Sequence, residues 1–287
     1  LVIDAFLIRR ETFFDKNMQP ITFNLRDKRN TQDNPLDEYI CDALKTHLEN
    51  SICQKAPGPL INPDLVIYRP ELCNEQPREM LASDTTRIVG IEVKKLERGK
   101  SGRIARASGM DYNTTPPCGT ILAYSMDQSE LHIKGFYLFL AQEEVSKGQY
   151  VISALTLCDG NVLNEDVDFY LRIVGQRQKE IGLGTYGNGV NRNRPMLIFA
   201  NPLGASELDR EATVVSNYLD DHRVKLVYQI ERESIDGTSK RFYAYRKKSD
   251  IPEGWKVQIL REPFPQPSTR VSTTQARGRF QLPIKVQ

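Results

Sequence analysis

Two short apolar runs constrain the fold of this chain more than any other feature. Residues 64–68 read Asp-Leu-Val-Ile-Tyr, and residues 87–94 read Arg-Ile-Val-Gly-Ile-Glu-Val-Lys. Runs of this length and composition are typical of buried strands. The second run carries two charged residues, Glu92 and Lys94. Because residues at i and i+2 point to the same side of a strand, these two side chains are predicted to project together.

A charged pair on an apolar strand is costly to bury without a partner. A metal ion, or a neighbouring carboxylate such as Asp64, would compensate Glu92 and Lys94. Two carboxylates and the backbone carbonyl of Val93 form an oxygen-rich set that suits Mg²⁺. Such an ion would polarise a phosphate and lower the pKa of a bound water, which Lys94 could orient or deprotonate. The alternative is a structural salt bridge at a sheet edge.

Pro63-Asp64 and Glu92-Val93-Lys94 resemble the active-site motif of the PD-(D/E)xK nuclease superfamily, and within it the type II restriction endonucleases. Each motif occurs once in the chain, and 28 residues separate Asp64 from Glu92. The resemblance covers about residues 36–124. It implies that Asp64 and Glu92 are metal ligands and that Lys94 is the catalytic lysine. It also implies an auxiliary acid on the preceding helix, for which Glu38 is the candidate. Asp42 shares its polar face, and an ordinary solvated acid is the alternative for both.

This resemblance implies a function as well as a fold. The expected fold is α/β, a restriction-endonuclease-like mixed central sheet flanked by helices, with a β-rich C-terminal part. The expected activity is Mg²⁺-dependent, sequence-specific hydrolysis of double-stranded DNA to 5′-phosphate and 3′-hydroxyl ends by a homodimer. A repair or recombination nuclease of the same fold is one alternative. A non-catalytic DNA-binding protein, in which Asp64, Glu92 and Lys94 form a structural ion pair network, is another.

The pattern along the chain predicts a single catalytic and DNA-recognition domain over residues 1–287. Its nuclease core spans about 36–200, and a basic β-rich part spans about 223–287. A helix is predicted over 36–50, with Asn34 as N-cap and Pro35 at the first position. Further helices are predicted over 164–181 and 206–219. Further strands are predicted over 120–124, 135–140, 150–157 and 196–200, with a hairpin of 225–232 and 241–246 around Asp236-Gly237.

The charge of the chain is nearly balanced but unevenly placed. Lys and Arg number 39 against 37 Asp and Glu, whereas residues 223–287 hold fourteen bases against six acids. Basic regions on a neutral chain favour one polyanion-binding face, although ordinary solvated surface gives the same pattern. The candidate DNA contacts are Lys95, Arg98, Lys100, Arg103, Arg106, Asn113, Arg192 and Arg194.

Composition excludes several other classes. No apolar run approaches the roughly 20 residues that cross a bilayer, so no membrane partner is expected. Three isolated histidines and five cysteines without a CxxC pair argue against a zinc site and a disulfide framework. The glycine patterns fit neither a P-loop nor a dinucleotide-binding motif, so no nucleotide cofactor is expected. Free thiols and the lack of a targeting segment predict a cytoplasmic protein.

Overall fold

The structure of the protein is a computed structural model. It describes residues 1–30, 33–58, 61–98, 118–163, 206–233, 239–263 and 280–286, together with residues 102, 165 and 237. It also gives the backbone of four short strands within 112–114 and 183–199.

The described elements include four α-helices, fifteen strands and two 3-10 turns, and residues 160–163 are helical as well. The helices are α1 (Val2–Phe13), α2 (Pro35–His47), α3 (Pro70–Cys73) and α4 (Arg78–Ser83). The first eight strands are β1 (Phe23–Asn24), β2 (Ile52–Lys55), β3 (Leu65–Tyr68), β4 (Ile88–Glu97), β5 (Tyr112–Thr114), β6 (Thr120–Tyr124), β7 (Glu130–Ser146) and β8 (Gln149–Asp159). The others are β9 (Leu183–Gly184), β10 (Arg194–Pro195), β11 (Leu197–Phe199), β12 (Ala212–Ser216), β13 (Val224–Glu233), β14 (Ser239–Lys247) and β15 (Gln258–Pro263).

Eleven of these strands form one mixed sheet. Its order is β15-β13-β14-β12-β8-β7-β4-β3-β2, with β1 paired to β8 and β6 paired to β7. Strand β4 runs parallel to β7, β8 runs parallel to β12, and β13 runs parallel to β15, whereas the other pairs are antiparallel. The predicted α/β class with a large mixed sheet is therefore confirmed, and few helices flank it.

Helix α2 forms where the sequence predicts it, because its start and its apolar spacing agree. Asn34 is the N-cap and Pro35 occupies the first turn, where proline lacks only an amide that has no helical partner. Leu36, Ile40 and Leu44 are completely buried. They recur at helical spacing, so that one face of the helix lies against the sheet.

The core lies on both faces of the sheet. Ile91 and Val93 of β4 belong to the same apolar cluster as α1 and α2, while Leu96 belongs to a second cluster on the opposite face with β7, β8 and β13. This alternation follows from the pleat, which sends successive side chains to opposite faces. Consequently Glu92 and Lys94 lie on the face away from the α1–α2 cluster.

A third cluster is completed by the last described segment of the chain. Phe280, Leu282 and Ile284 are buried against residues from β3, β4, α4, β6 and β7. The backbone N–H of Leu282 donates to the carbonyl of Tyr124 at 2.7 Å, so the segment lies beside the end of β6. Residues 280–286 therefore lie against the body of the fold.

The C-terminal part is β-rich, and its predicted hairpin is confirmed. Strands β13 and β14 pair from Val224–Lys247 to Glu233–Ser239. The predicted helix over 206–219 is wrong. Ser206–Leu208 is a 3-10 turn and Ala212–Ser216 is a strand between β8 and β14. Thr213, Val214 and Val215 are β-branched and favour a strand once both sides are paired.

Most of the predicted helix over 164–181 lies outside the described residues. No described helix combines the length and the apolarity that crossing a membrane requires.

Candidate active site

Asp64 is positioned by the pairing of β3 with β4. Leu65 lies opposite Ile91 in this antiparallel pair, so Asp64, one residue earlier, lies beside the continuation of β4. Its Oδ2 atom accepts a hydrogen bond from the backbone N–H of Val93 at 2.7 Å. In an extended strand the N–H and C=O of one residue point to the same side. The carbonyl of Val93 therefore also faces the side on which Asp64 lies.

Glu92 and Lys94 project together from β4, as their spacing predicts. Lys94 Nζ lies 2.8 Å from Glu92 Oε1, and the two residues retain 8% and 5% of their exposure. Asn62 Nδ2 donates to Glu92 Oε2 at 2.5 Å. Lys94 Nζ also lies 5.9 Å from the ring centroid of Tyr137. The ion pair is thus held from both ends, which fixes where the ammonium and the carboxylate point.

A third acid joins this site from the first turn of α2. Asp37 retains only 6% of its exposure, and its Oδ1 accepts a hydrogen bond from Asn34 Nδ2 at 2.7 Å. Burial raises the pKa of Asp37 to about 7, and the negative charge of Glu92 contributes to this rise. Lys55, at the end of β2, and Lys94 oppose the rise in the pKa of Asp37.

Glu92 and Lys94, which shift the pKa of Asp37, also shift the pKa of Asp64. Burial raises the pKa of Asp64 well above its ordinary value, and the charges of Glu92 and Asp37 raise it further. Lys94 and the amide of Val93 act in the opposite direction on the pKa of Asp64. Asp37, Asp64, Glu92 and Lys94, called here the acidic cluster, therefore share one electrostatic environment with more potential negative than positive charge.

The acidic cluster borders a cavity of about 470 Å³. Asp37 and Asp64 line it together with three basic residues, Arg26, Arg29 and Lys55. A second cavity of about 780 Å³ lies beside it, with Lys95 in its wall, and Arg26 lines both. A phosphate group that entered the first cavity would meet both bases and carboxylates among its lining residues.

Glu38, the predicted auxiliary acid, lies at the rim instead. Arg26 Nε donates to Glu38 Oε2 at 2.9 Å, and Arg26 Nη2 donates to Asp33 Oδ1 at 3.0 Å. These three residues, called here the rim cluster, are partly exposed. Arg26 holds the pKa of both carboxyl groups below their ordinary values. The acid that α2 contributes to the acidic cluster is Asp37, one residue earlier.

Of the predicted DNA contacts, two have side chains that the structure describes. Lys95 Nζ lies 3.5 Å from Glu97 in the wall of the second cavity. Arg98 does not suit the prediction, because its side chain is 2% exposed and bound to Asp209 and Glu143 at 2.8 Å each. Asn113 and Arg194 lie in β5 and β10, where only the backbone is described. The remaining four, Lys100, Arg103, Arg106 and Arg192, lie outside the described residues.

Part of the basic surplus of the C-terminal part is paired with acids from other regions. Three of its bases, Arg223, Arg246 and Lys247, each lie 2.7 Å from an acid of another element, which are Asp4, Glu211 and Glu11 respectively. These pairs connect the hairpin to α1 and to the turn before β12. These three bases are therefore used in contacts within the fold.

The donor set of the acidic cluster fits a hard cation in its chemistry. Among the described residues, no group of three or more His, Cys, Asp and Glu side chains is arranged to hold a metal ion. Mg²⁺, however, is held in proteins by one or two carboxylates, and waters complete its octahedron. Asp64, Glu92 and the carbonyl of Val93 supply oxygen donors of that kind, and a cation there would offset the mutual repulsion of the carboxylates.

Sequence reasoning missed Asp37, Asn62 and Lys55. A signal for Asp37 was present, since Asp37, Cys41 and Leu44 recur at i, i+4 and i+7 and so share the buried face of α2.

Comparison with protein families, with curated proteins and with solved structures gave no match.

Proposed function

We propose that this protein is a Mg²⁺-dependent endonuclease that hydrolyses double-stranded DNA. The supporting observation is the acidic cluster, in which Glu92 and Lys94 form an ion pair on β4, Asp64 accepts from the backbone of Val93, and the charges of Glu92 and Lys94 act on Asp37 of α2. Several largely buried carboxylates close together destabilise a fold unless they bind a ligand. Hard oxygen donors beside a lysine favour phosphodiester hydrolysis.

Each residue has a distinct role in this proposal. Asp64, Glu92 and the Val93 carbonyl would hold Mg²⁺, which neutralises charge on the scissile phosphate and makes a water more acidic. Lys94 orients the attacking water and offsets the negative charge that develops on the phosphate. Glu92 holds the Lys94 ammonium at 2.8 Å. Asp37 binds a proton, or helps to bind additional positive charge, within the acidic cluster.

The wider proposal follows from the resemblance and the surroundings of the cluster. Arg29 and Lys55 line the cavity that holds Asp37 and Asp64, where they can contact the phosphates on either side of the scissile bond. Cleavage of both strands at a defined site needs two active sites related by two-fold symmetry, which is why a homodimer belongs to the proposal. The products are a 5′-phosphate and a 3′-hydroxyl.

The test is incubation of the purified protein with unmethylated phage DNA, with Mg²⁺ and with EDTA, followed by a gel. We expect discrete Mg²⁺-dependent fragments that are lost in Asp64→Asn. Asp42→Asn is the matched control, because Asp42 lies on α2 but is exposed and pairs with Lys45. The control should cut as the wild type does.

The other outcomes separate the alternatives. Nicking, or cleavage only at branched or mismatched DNA, would replace restriction by repair or recombination as the function. DNA that is bound but intact on several unmethylated genomes would indicate a non-catalytic DNA-binding protein. Cleavage that persists in EDTA would contradict the metal requirement.

A further inference from the structure

Two cysteines of different elements lie in contact beneath α2. Cys41 lies on α2 and Cys53 lies on β2, and their Sγ atoms are 3.1 Å apart. This is roughly 1 Å more than the length of an S–S bond, which is about 2.05 Å. Each residue retains 1% of its exposure. The proposed function makes no use of either thiol.

A buried arginine accompanies the two thiols. Arg9 of α1 retains 1% of its exposure, and its Nη1 donates to the carbonyl of Ile40 at 2.8 Å. Its Nε and Nη2 atoms have no hydrogen-bond partner among the described residues. Burial lowers the pKa of Arg9 to about 10, and ionised Cys53 and Cys41 would raise it. A guanidinium with unused donors next to a thiol stabilises the thiolate.

We infer that Cys41 and Cys53 are an oxidisable dithiol, which peroxide converts to a disulfide joining α2 to β2 with Arg9 stabilising the reacting thiolate. Geometry carries this inference, since two thiols in contact and an arginine with unused donors meet at one place. The pair is completely buried, so the oxidant must be as small as hydrogen peroxide. The inference does not depend on nuclease activity.

The reaction balances with one peroxide. The Cys41 thiolate attacks one oxygen, the O–O bond breaks, and the leaving hydroxide takes up the Cys41 proton to give water. The Cys53 thiolate then attacks the sulfenic sulfur of Cys41 and the S–O bond breaks. The hydroxide released takes up the Cys53 proton as a second water. The sulfurs together lose two electrons, and the peroxide gains them.

The disulfide would join α2, which carries Asp37, to β2, which pairs with the strand that follows Asp64. Asp37 lies one helical turn before Cys41 on α2. Cys53 lies opposite Ile67 of β3, which begins directly after Asp64. A cross-link at this position restricts the movement of α2 relative to the sheet.

The test treats the full chain with hydrogen peroxide, alkylates the remaining thiols in denaturant and identifies peptides by mass spectrometry. We expect a Cys41–Cys53 linked peptide that dithiothreitol removes. Cys73, Cys118 and Cys158 are buried free thiols and serve as internal controls that remain alkylated. If Cys41 and Cys53 are alkylated to the same extent as these three, the inference is overturned.

Two variants test the mechanism. In Cys53→Ser, Cys41 should stop at the sulfenic acid, which dimedone traps. In Arg9→Met, cross-linking should slow by about tenfold, the effect of one unit of thiolate pKa, whereas Arg9→Lys should retain most of the rate. Equal rates in the wild type and Arg9→Met would remove Arg9 from the proposal. If Arg9→Met does not fold, the linked peptide in the wild type and its loss in Cys53→Ser still decide the question.

Discussion

The acidic cluster and the rim cluster lie side by side. They contain the same residue types, but the pKa values of their carboxyl groups shift in opposite directions. In the rim cluster, Arg26 binds Asp33 and Glu38 through several hydrogen bonds at a partly exposed position. In the acidic cluster, Asp37, Asp64 and Glu92 share Lys94 in a far less exposed place. The pKa of each acid falls in the first cluster, whereas the pKa of Asp37 and Asp64 rises in the second.

This contrast separates a structural ion pair from the kind of site that the proposed function requires. Asp37 and Glu38 are neighbours in sequence, yet each belongs to a different cluster because adjacent helical positions differ by about 100° around the axis. An acid whose charge is already compensated contributes to local structure. An acid whose charge is left without compensation weakens the fold until a cation or a proton arrives.

The largest expected effect comes from removing the one lysine of the acidic cluster. Lys94→Ala should reduce Mg²⁺-dependent cleavage by roughly 10²–10⁴-fold in kcat, the range for a group that assists proton transfer. Lys95→Ala is the matched control, because the neighbouring side chain points to the opposite face of β4. It should change KM more than kcat. Equal losses of kcat in both variants would contradict the assignment of Lys94.

The neighbours on α2 provide the next test. Asp37→Asn should lower cleavage by about 10–100-fold, as expected for a group that supports metal ligands. Glu38→Gln should remain within about twofold of wild type, since Glu38 binds Arg26 at the rim and any change acts only indirectly. Single-turnover cleavage at saturating DNA measures both. A larger loss in Glu38→Gln would return the auxiliary role to Glu38.

Stability without metal should depend on pH in a defined direction. The pKa of Asp37 rises from an ordinary 3.8 to about 7 in the folded protein, so the folded state binds more protons than the unfolded chain between these values. The free energy of unfolding should therefore fall as pH rises from about 4 to about 7. Urea unfolding in EDTA across this range measures the slope.

Asp64→Asn should reduce that slope and stabilise the metal-free protein at pH 8 by about 1–3 kcal/mol, because it removes a carboxyl group whose pKa is raised by folding while its amide oxygen can still accept from Val93. The control is the same pair of proteins at pH 4, where the difference should nearly vanish. A variant that is less stable than wild type at pH 8 would show that the Asp64 charge supports the fold.

The smallest effect is expected at the rim. Arg26→Ala should decrease thermal stability slightly at low ionic strength, and the decrease should shrink in high salt because the rim cluster is partly exposed. Melting curves at two salt concentrations measure it. A decrease that salt leaves unchanged would indicate that Arg26 packs against the fold and does not act through its charge.

The sequence predicted the parts of the site that lie within one element or follow strand alternation. Glu92 and Lys94 share a side because of their spacing in β4, and Asp64 comes next to them because two apolar runs pair. The position of Asp37 depends on how α2 rotates against the sheet, which no local pattern fixes. The burial of Arg98 depends on Asp209, which lies 111 residues further along the chain.

The same division holds for the fold. The hairpin of β13 and β14 was predictable because its turn and strands are local, and α2 was predictable from its cap and spacing. Residues 212–216 were predicted as part of a helix over 206–219. They form a strand because β8 and β14 pair with both of its edges, which is information from distant parts of the chain.

The third apolar cluster has a consequence for how the protein is made. It combines Val66 of β3 and Ile133 of β7 with Phe280 and Leu282, so its last members leave the ribosome more than 200 residues after its first. One face of β3 therefore remains uncovered during most of synthesis, a period in which exposed apolar strands are prone to associate. Productive folding of this chain should accordingly depend on a chaperone until residues 280–284 emerge.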